Sequence, residues 1–398
     1  MIEYARFVME LKKEIRRNPS TTIKRIYDAG LIKKVRRGDS REFIPDFLKI
    51  RPILARARRK ILPSVPKTTT DVVIEGQWTK TWSNYDFLLD HDVDWGVTLF
   101  GTAENIRRLQ KCKDVYMDGT FRTCPNPYTQ VFTIHGNYRN RVLPFVMGLM
   151  VGRTVGHYRH VLGVVKAAVR RESGHRWRPR KVISDFEPAL TNAIETELPN
   201  AELSGCYFHF TQSLWSKIQE LGLATRYRRH IRLRKCLRKF MAIGYLPVAL
   251  VRANFQTLAT APRTLRLIRR CPELQDFITY MENNYLEGAF PPALWNVHQR
   301  DMDNRTNNHV EAFHCVWNKI VSERHPSLWI FIRHIKDLQS NVEISADAAD
   351  RGDPSPKRRL KWRQLEARIT RLKDEYHSGR RNLTDFWDAV AHCISQFR

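Results

Sequence analysis

The hydrophobic pattern in the middle of the chain predicts a sheet covered by helices. Three apolar runs, "DVYMDGTF", "TQVFTIHGNY" and "VLPFVMGLMVG", follow one another with turn residues between them, which is typical of hairpin-linked strands. A helix follows, because apolar residues recur at i, i+3, i+4 and i+7. These residues are Tyr158, Val161, Leu162, Val165 and Val169.

Strands and helices alternate after that helix. "RKVISD" reads as a fourth strand, a helix opens at Pro188, "AELSGCYFHF" reads as a fifth strand, and "TQSLWSKIQEL" reads as the next helix. Proline is tolerated in a first helical turn because its missing N–H would have no partner there. Hairpins followed by strand–helix–strand crossovers predict an α/β fold with a mixed sheet and flanking helices.

The flanking regions have other patterns. Residues 1–60 read as basic helices or a solvated arm, and "DVVIEGQWTKTW" with "YDFLLDHD" reads as a short strand pair. Residues 221–300 break the strand–helix alternation and read as mostly helical, basic and amphipathic. "PSLWIFIRHIKDL" and a last amphipathic segment around Leu365 and Leu372 also predict helices.

The charge of the chain favours a polyanionic partner. The formal net charge is +27, and a surplus of this size suits a nucleic acid, although a charge that serves solubility is the plain alternative. Residues 221–240 contain eight cations and no acid. We expect these side chains to bind DNA phosphates, a solvated helix face or a membrane-surface helix being the alternatives. They are Arg226, Arg228, Arg229, Arg232, Arg234, Lys235, Arg238 and Lys239.

The apolar runs, the first residues and the cysteines bear on where the protein resides. The sequence has no apolar run of about 18 residues, so we expect no membrane span. Its first residues, "MIEYARFVMELKKEIRR", lack the order of a signal peptide. Seven scattered cysteines favour a reducing compartment over a disulfide scaffold.

Three acids could form one metal site. Asp118 ends the first core strand, although Asp-Gly is also a strong hairpin signal. Asp185 ends the fourth strand, and Glu311 lies in a helical segment. If the two strands are neighbours, three carboxylates can converge to hold Mg²⁺, and a pair of such ions supports phosphodiester chemistry. The alternatives are helix capping by Asp185 and a capping partnership of Glu311 with Asn308.

Four blocks, "MDGTF", "ISDFEPAL", "GCYFHFTQSLW" and "RTNNHVEAFH", resemble in this order the catalytic domain of Mutator-like element (MULE) transposases. The resemblance covers about residues 110–320. It implies a ribonuclease-H-like fold with an all-helical insertion, and a DDE site formed by Asp118, Asp185 and Glu311. It also implies Mg²⁺ or Mn²⁺ as cofactor, in two ions. The implied partner is double-stranded DNA, as element ends and target, bound by a homo-oligomer in the nucleus, with no small-molecule substrate and no membrane.

The pattern and the resemblance together divide the chain into six segments. We expect a basic helical N-terminal arm (1–65), a small α/β lead-in (66–110), the first part of the core (111–220), a basic helical insertion (221–303), core helices carrying the third acid (304–345), and a linker with C-terminal helices (346–398).

Further residues match the family in the same blocks. Cys206 and His209 form half of a zinc site, which His314 and Cys315 would complete if the two segments met. The alternatives are a core position or a wall of the active site for the cysteine, and orientation of a carboxylate or contact with a phosphate for His209. Asn307 and Asn308 match the asparagine pair before the glutamate, in a positioning or capping role.

One departure from the family concerns targeting. Many relatives carry an N-terminal zinc-binding DNA-recognition module, but residues 1–60 contain no cysteine. The main functional expectation is a DDE transposase that cleaves and transfers DNA strands. The rivals are a host-adopted, catalytically silent DNA-binding regulator of transcription and a stand-alone nuclease or RNA-processing enzyme on the same fold.

Overall fold

A computed structural model describes residues 2–38, 44–300, 325–356 and 360–394, together with Phe313, Trp317, Asn318, Ile320 and Val321. The chain divides into two compact units. The first unit comprises Met1–Lys111, Gly119–Trp177 and Ala312–Arg351, and the second comprises Cys112–Asp118, Arg178–Glu311 and Gly352–Arg398.

The strands confirm the predicted fold class. Seven strands form a mixed sheet in the order β1-β2-β5-β4-β3-β6-β7, flanked by helices, consistent with a ribonuclease-H-like fold. The pairs β1–β2, β2–β5 and β4–β5 are antiparallel, whereas β3–β6 and β6–β7 are parallel. The strands are β1 (Leu88–Asp92), β2 (Val97–Phe100), β3 (Asp114–Thr120), β4 (Gln130–Tyr138), β5 (Arg141–Met150), β6 (Lys181–Ser184) and β7 (Glu202–Gly205).

The first unit contains an N-terminal three-helix bundle and helices that accompany β1, β2, β4 and β5. The predicted face of the helix after β5 is buried, from Tyr158 to Val169. A buried cluster joins Phe100, Val131 and Leu149 of the strands to Trp329 and Ile332. The helices are α1 (Ile2–Arg17), α2 (Ile23–Arg36), α3 (Phe47–Arg59), α4 (Ala103–Lys111), α5 (Val155–Ser173) and α14 (Leu328–Asp350).

The second unit combines β3, β6 and β7 with a large helical core. Residues 221–300 are mostly helical, as expected, and they bury a continuous cluster with the C-terminal helices. The helices are α6 (Pro188–Glu197), α7 (Tyr207–Glu220), α8 (Leu223–Arg229), α9 (Ile231–Ala242), α10 (Val248–Thr260), α11 (Pro262–Arg270), α12 (Glu273–Met281), α13 (Pro292–Trp295), α15 (Leu360–His377) and α16 (Leu383–Cys393).

Two local predictions were wrong. "DVVIEGQW" forms no strand: Val72 and Ile74 are buried and Val73 is exposed, as in a strand, but the segment packs on the apolar cluster and turns into a short 3₁₀ helix at Gly76–Thr79. The predicted strand "AELSGCYFHF" stops at Gly205, and α7 begins at Tyr207. Tyr207, Phe210, Leu214 and Ile218 are buried at helical spacing, which gives the aromatic run its helical conformation.

None of the helices in the described residues combines the length and the apolar character that a bilayer-spanning helix requires. The six cysteines in those residues form no disulfide with one another, and all six are buried.

Candidate metal site at the ends of parallel strands

Asp118 and Asp185 lie at the carboxyl ends of neighbouring parallel strands. Met117 of β3 pairs in register with Ser184 of β6, and each of these two residues is followed directly by one of the acids. Ser184 pairs in turn with Gly205 of β7, and the N–H of Cys206 donates to the carbonyl of Ser184 at 2.8 Å. The prediction that the two strands are neighbours in the sheet is therefore confirmed.

The two carboxylates influence each other in a buried setting. Asp118 is buried, and Oδ1 of Asp185 is also buried, with no hydrogen-bond partner among the described residues. Burial and then the charge of Asp118 raise the pKa of Asp185 to about 7, although His209 and the backbone N–H of Glu187 favour its ionised form. Close like charges in a dry setting have this effect. A cation would offset the repulsion.

The Asp118-Gly119 pair is part of a strand and not a hairpin turn. β3 runs through both residues to Thr120. A Cβ atom at Gly119 would lie 2.2 Å from Nε2 of Gln130, and that side chain is buried and hydrogen-bonded to the hydroxyl of Tyr158. A side chain at this position would have to displace Gln130, so glycine lets the strand pack closely against it.

Cys206 and His209 lie beside the acids because α7 begins earlier than expected. Cys206 is the N-cap of α7, and His209 is in its first turn. Burial opposes the charge of His209, but Cys206, Asp118 and Asp185 outweigh it and raise the pKa of His209 to about 10. Its Nδ1 atom is buried without a hydrogen-bond partner in the described residues. An imidazolium next to two carboxylates partly offsets their charge.

Sequence reasoning missed Arg300. This side chain is buried, and Nη1 donates to the carbonyl oxygen of Gly205 at 2.7 Å while Nη2 donates to that of Leu294. Burial lowers the pKa of Arg300 to about 10, against the opposing effects of Cys206 and Glu202. The guanidinium therefore holds the end of β7, next to Cys206. Its partners are backbone carbonyls distant in sequence, so no motif indicated them.

An aromatic ring next to Gly205 occupies the space that a side chain at this position would need. A Cβ atom at this position would lie 2.6 Å from two ring atoms of Phe186, the residue after Asp185. The Phe186 ring packs on Phe290 and Tyr285, with centroid distances of 5.2 and 5.8 Å. The end of β7 and the backbone beside Asp185 are thus held by one tightly packed contact.

Several predicted site residues lie outside the described residues. They are Glu311, Asn307, Asn308, His314 and Cys315. Within the described part of the chain, no three His, Cys, Asp or Glu side chains are arranged to hold a metal ion. The described residues therefore include two of the three expected carboxylates, and the Cys206–His209 pair has only two of the four ligands that a structural zinc site requires.

The basic residues of the insertion fall into two groups. Arg226 contacts Cys271 and Glu273, Arg238 donates to the hydroxyl of Tyr227 at 2.9 Å, and Lys239 pairs with Asp388 at 2.6 Å. Arg234 donates to the carbonyl of Arg228. By contrast, Arg228, Arg229, Arg232 and Lys235 are exposed, and their side chains make none of these contacts. The exposed group is free to contact an anionic partner.

The residues fit a divalent cation. Asp118 and Asp185 offer hard oxygen donors, and one buried oxygen of Asp185 lacks a protein donor in the described residues. Mg²⁺ binds through one or two carboxylates and keeps several waters, so this pair can hold it. A zinc site would call for sulfur and nitrogen ligands in a closed set of four. The donor chemistry favours Mg²⁺ or Mn²⁺.

A comparison with known protein families gives a match in the part of the chain that carries the two acids. Residues 115–213 match the family model described as the MULE transposase domain. The matched range includes Asp118, Asp185, Cys206 and His209. No curated protein matches the chain. The domain match supports the MULE transposase family and indicates a transposase-related function that involves DNA.

Proposed function

We propose that the chain is the catalytic core of a DDE-type transposase that cleaves and joins DNA strands at the ends of a Mutator-like element. The observation that carries the proposal is the placement of Asp118 and Asp185 at adjacent positions of two parallel strands, one of them with a raised pKa. Glu311 is proposed as the third acid, from sequence. The proposed cofactor is a pair of Mg²⁺ or Mn²⁺ ions. The protein is proposed to act in the nucleus.

The protein's own residues would prepare the site. Asp118 and Asp185 would hold the metal, which when bound activates a water or 3′-hydroxyl and stabilises the leaving oxygen in phosphodiester chemistry. His209 would keep the carboxylates oriented and would limit their repulsion in the absence of the cation. Arg300 would fix the carboxyl end of β7 and thereby the start of α7. Asn307 and Asn308 are proposed to position Glu311.

The basic residues of the insertion would bind DNA through its phosphates. The exposed Arg229, Arg232 and Lys235 of the insertion are suited to bind a duplex without regard to sequence, with an affinity that falls as salt rises. Element ends and target DNA are both duplexes, and the protein is proposed to act on them as a homo-oligomer.

The test is cleavage of supercoiled plasmid with Mg²⁺ or Mn²⁺. Wild type is compared with Asp185→Asn and with Glu202→Gln, which removes an exposed acid at the other end of β7. The proposal expects metal-dependent nicking that Asp185→Asn abolishes and Glu202→Gln keeps. If all three proteins bind DNA and none nicks it, the alternative of a catalytically silent DNA-binding regulator replaces the proposal.

A further inference from the structure

The N-terminal helices form a bundle with a core of its own. Phe7, Leu11 and Ile15 of α1 pack with Ile26 of α2 and Leu54 of α3, within one buried cluster. The sequence left open a solvated arm in this region, but a shared apolar core makes the segment a folded unit. A folded unit can present one helix face in a fixed orientation.

The third helix is anchored at its start and along one side. Oδ1 of Asp46 caps α3 by accepting from the N–H of Leu48 at 2.7 Å. Tyr27 of α2 donates to the carbonyl of Pro45 at 2.7 Å, and its ring packs on Phe47 at 5.3 Å. Only two residues of α3, Ile50 and Leu54, are buried.

The opposite side of α3 is a row of cations with apolar residues beside it. The helix "FLKIRPILARARR" contains five cations and no acid. At 100° per residue, Lys49, Arg56 and Arg59 lie on the side away from Ile50 and Leu54. Leu48 is 73% exposed and Ile53 is 37% exposed. The face therefore offers positive charge and apolar surface together.

These charges are not neutralised within the bundle. On the first two helices Lys24 pairs with Asp28 and Lys34 with Glu3, and Arg37, the C-cap of α2, pairs with Glu10. Among the described residues, Lys49, Arg56 and Arg59 have no ion pair. Uncompensated cations along one helix face attract a polyanion and release its counterions on binding.

We propose that the exposed face of α3, which contributes none of the residues of the cleavage site, docks on duplex DNA, with Lys49, Arg56 and Arg59 on phosphates and Leu48 and Ile53 toward the bases. Thirteen helical residues extend about 20 Å, and the major groove, about 12 Å wide, admits one α-helix. The choice of DNA rests on the proposed function. The same face would be attracted to an anionic membrane, and the test separates the two.

The experiment measures binding of the full chain to a labelled duplex by fluorescence anisotropy, without metal, across a salt series. The variant Lys49→Gln/Arg56→Gln/Arg59→Gln should bind at least about tenfold more weakly at physiological salt. The slope of log K against log salt should fall by about 2 to 3, since each phosphate contact contributes about 0.9. The matched control is Lys13→Gln/Arg16→Gln/Arg17→Gln, which removes three exposed cations from α1 of the same bundle.

The outcomes separate this inference from the proposed function. If wild type binds DNA and the α3 variant behaves like the α1 control, the inference is wrong and the proposed function stands. Capture by anionic vesicles in preference to duplex DNA also overturns the inference. If wild type fails to bind DNA at all, both fall. Equal melting temperatures of the two variants would show that a lost affinity does not come from unfolding.

Discussion

Asp118 and Asp185 each follow one member of a register pair, Met117 and Ser184, in two neighbouring parallel strands. The pairing brings the acids together although 66 residues separate them in sequence. Burial, and then the repulsion between the two carboxylates, raises the pKa of Asp185. The pair of acids therefore favours a bound cation.

Divalent cations should stabilise the protein through these acids. At pH 8 we expect saturating Mg²⁺ to raise the melting temperature of wild type. At a concentration a hundred times the Kd, binding contributes about 2.7 kcal/mol. Asp185→Asn should lose the effect, and Glu202→Gln should keep it, measured by differential scanning calorimetry. An equal rise in all three proteins would place the cation elsewhere.

The metal-free protein should lose stability as pH rises toward neutrality. The folded state holds the proton of Asp185 more tightly than the unfolded chain, because its pKa is raised from 3.8 to about 7. Between these values the folded state binds more protons, so its advantage is present below about pH 4 and disappears by about pH 7. The loss is at most about 4 kcal/mol, at about 1.4 kcal/mol per pKa unit.

The control for this prediction is Asp185→Asn in EDTA. The difference in unfolding free energy between wild type and the variant, from urea titrations, should decrease from pH 4 to 7 and then stay constant. A difference that grows with pH would mean that the carboxylate is stabilised in its ionised form without metal.

Gly205→Ala should destabilise the second unit. The new methyl group would lie 2.6 Å from the Phe186 ring, which is held by neighbouring aromatic rings. Overpacking of this kind costs about 1–3 kcal/mol. Adding Phe186→Leu should recover part of that cost, so a double-mutant cycle by urea unfolding should give a favourable coupling. Additive effects would show that the contact does not restrict position 205.

Arg300→Gln should cost about 2–4 kcal/mol, because it leaves the buried carbonyl of Gly205 and the part-buried carbonyl of Leu294 without their donor. Arg180→Gln is the matched control. Its side chain is 64% exposed and lies 3.4 Å from Asp114, so its loss should cost less than about 0.5 kcal/mol. Chemical denaturation measures both. Similar costs would mean that Arg300 does not hold the end of β7.

The two groups of basic residues in the insertion should behave differently. Arg229→Gln/Arg232→Gln/Lys235→Gln should reduce the salt slope of duplex binding by about 2 to 3 and leave the melting temperature unchanged. Arg226→Gln/Arg238→Gln/Lys239→Gln should lower the melting temperature, since these side chains make contacts within the protein. If the second variant weakened DNA binding and the first lowered stability, the prediction would be wrong.

The core strands and the neighbourhood of the two acids could be predicted from sequence, because buried runs and turn residues specify strands locally. The end of β7 could not be predicted in this way, because aromatic residues suit both a strand and a buried helix. The spacing of Tyr207, Phe210, Leu214 and Ile218 carried the helical signal. The strand prediction for "DVVIEGQW" failed for another reason. Its residues do alternate between buried and exposed, but a strand also needs a neighbouring strand to pair with.

Arg300 and Phe186 show a second limit of sequence reasoning. Arg300 matters through a carbonyl 95 positions earlier in the chain. Phe186 matters because its ring occupies the space that a side chain at position 205 would need. Such contacts follow from packing in three dimensions, and neither residue belongs to a pattern that composition or periodicity reveals.

The helical core beside the site has a consequence for synthesis on the ribosome. Trp387 donates to the carbonyl of Lys239 at 2.8 Å, and Phe386 and Val390 are buried in the same cluster as Phe210 of α7. The cluster that supports Cys206 and His209 is therefore incomplete until residue 390 has left the exit tunnel. A nascent chain would emerge with its two acids already synthesised but not yet supported, so their arrangement should form only after α16 has left the exit tunnel.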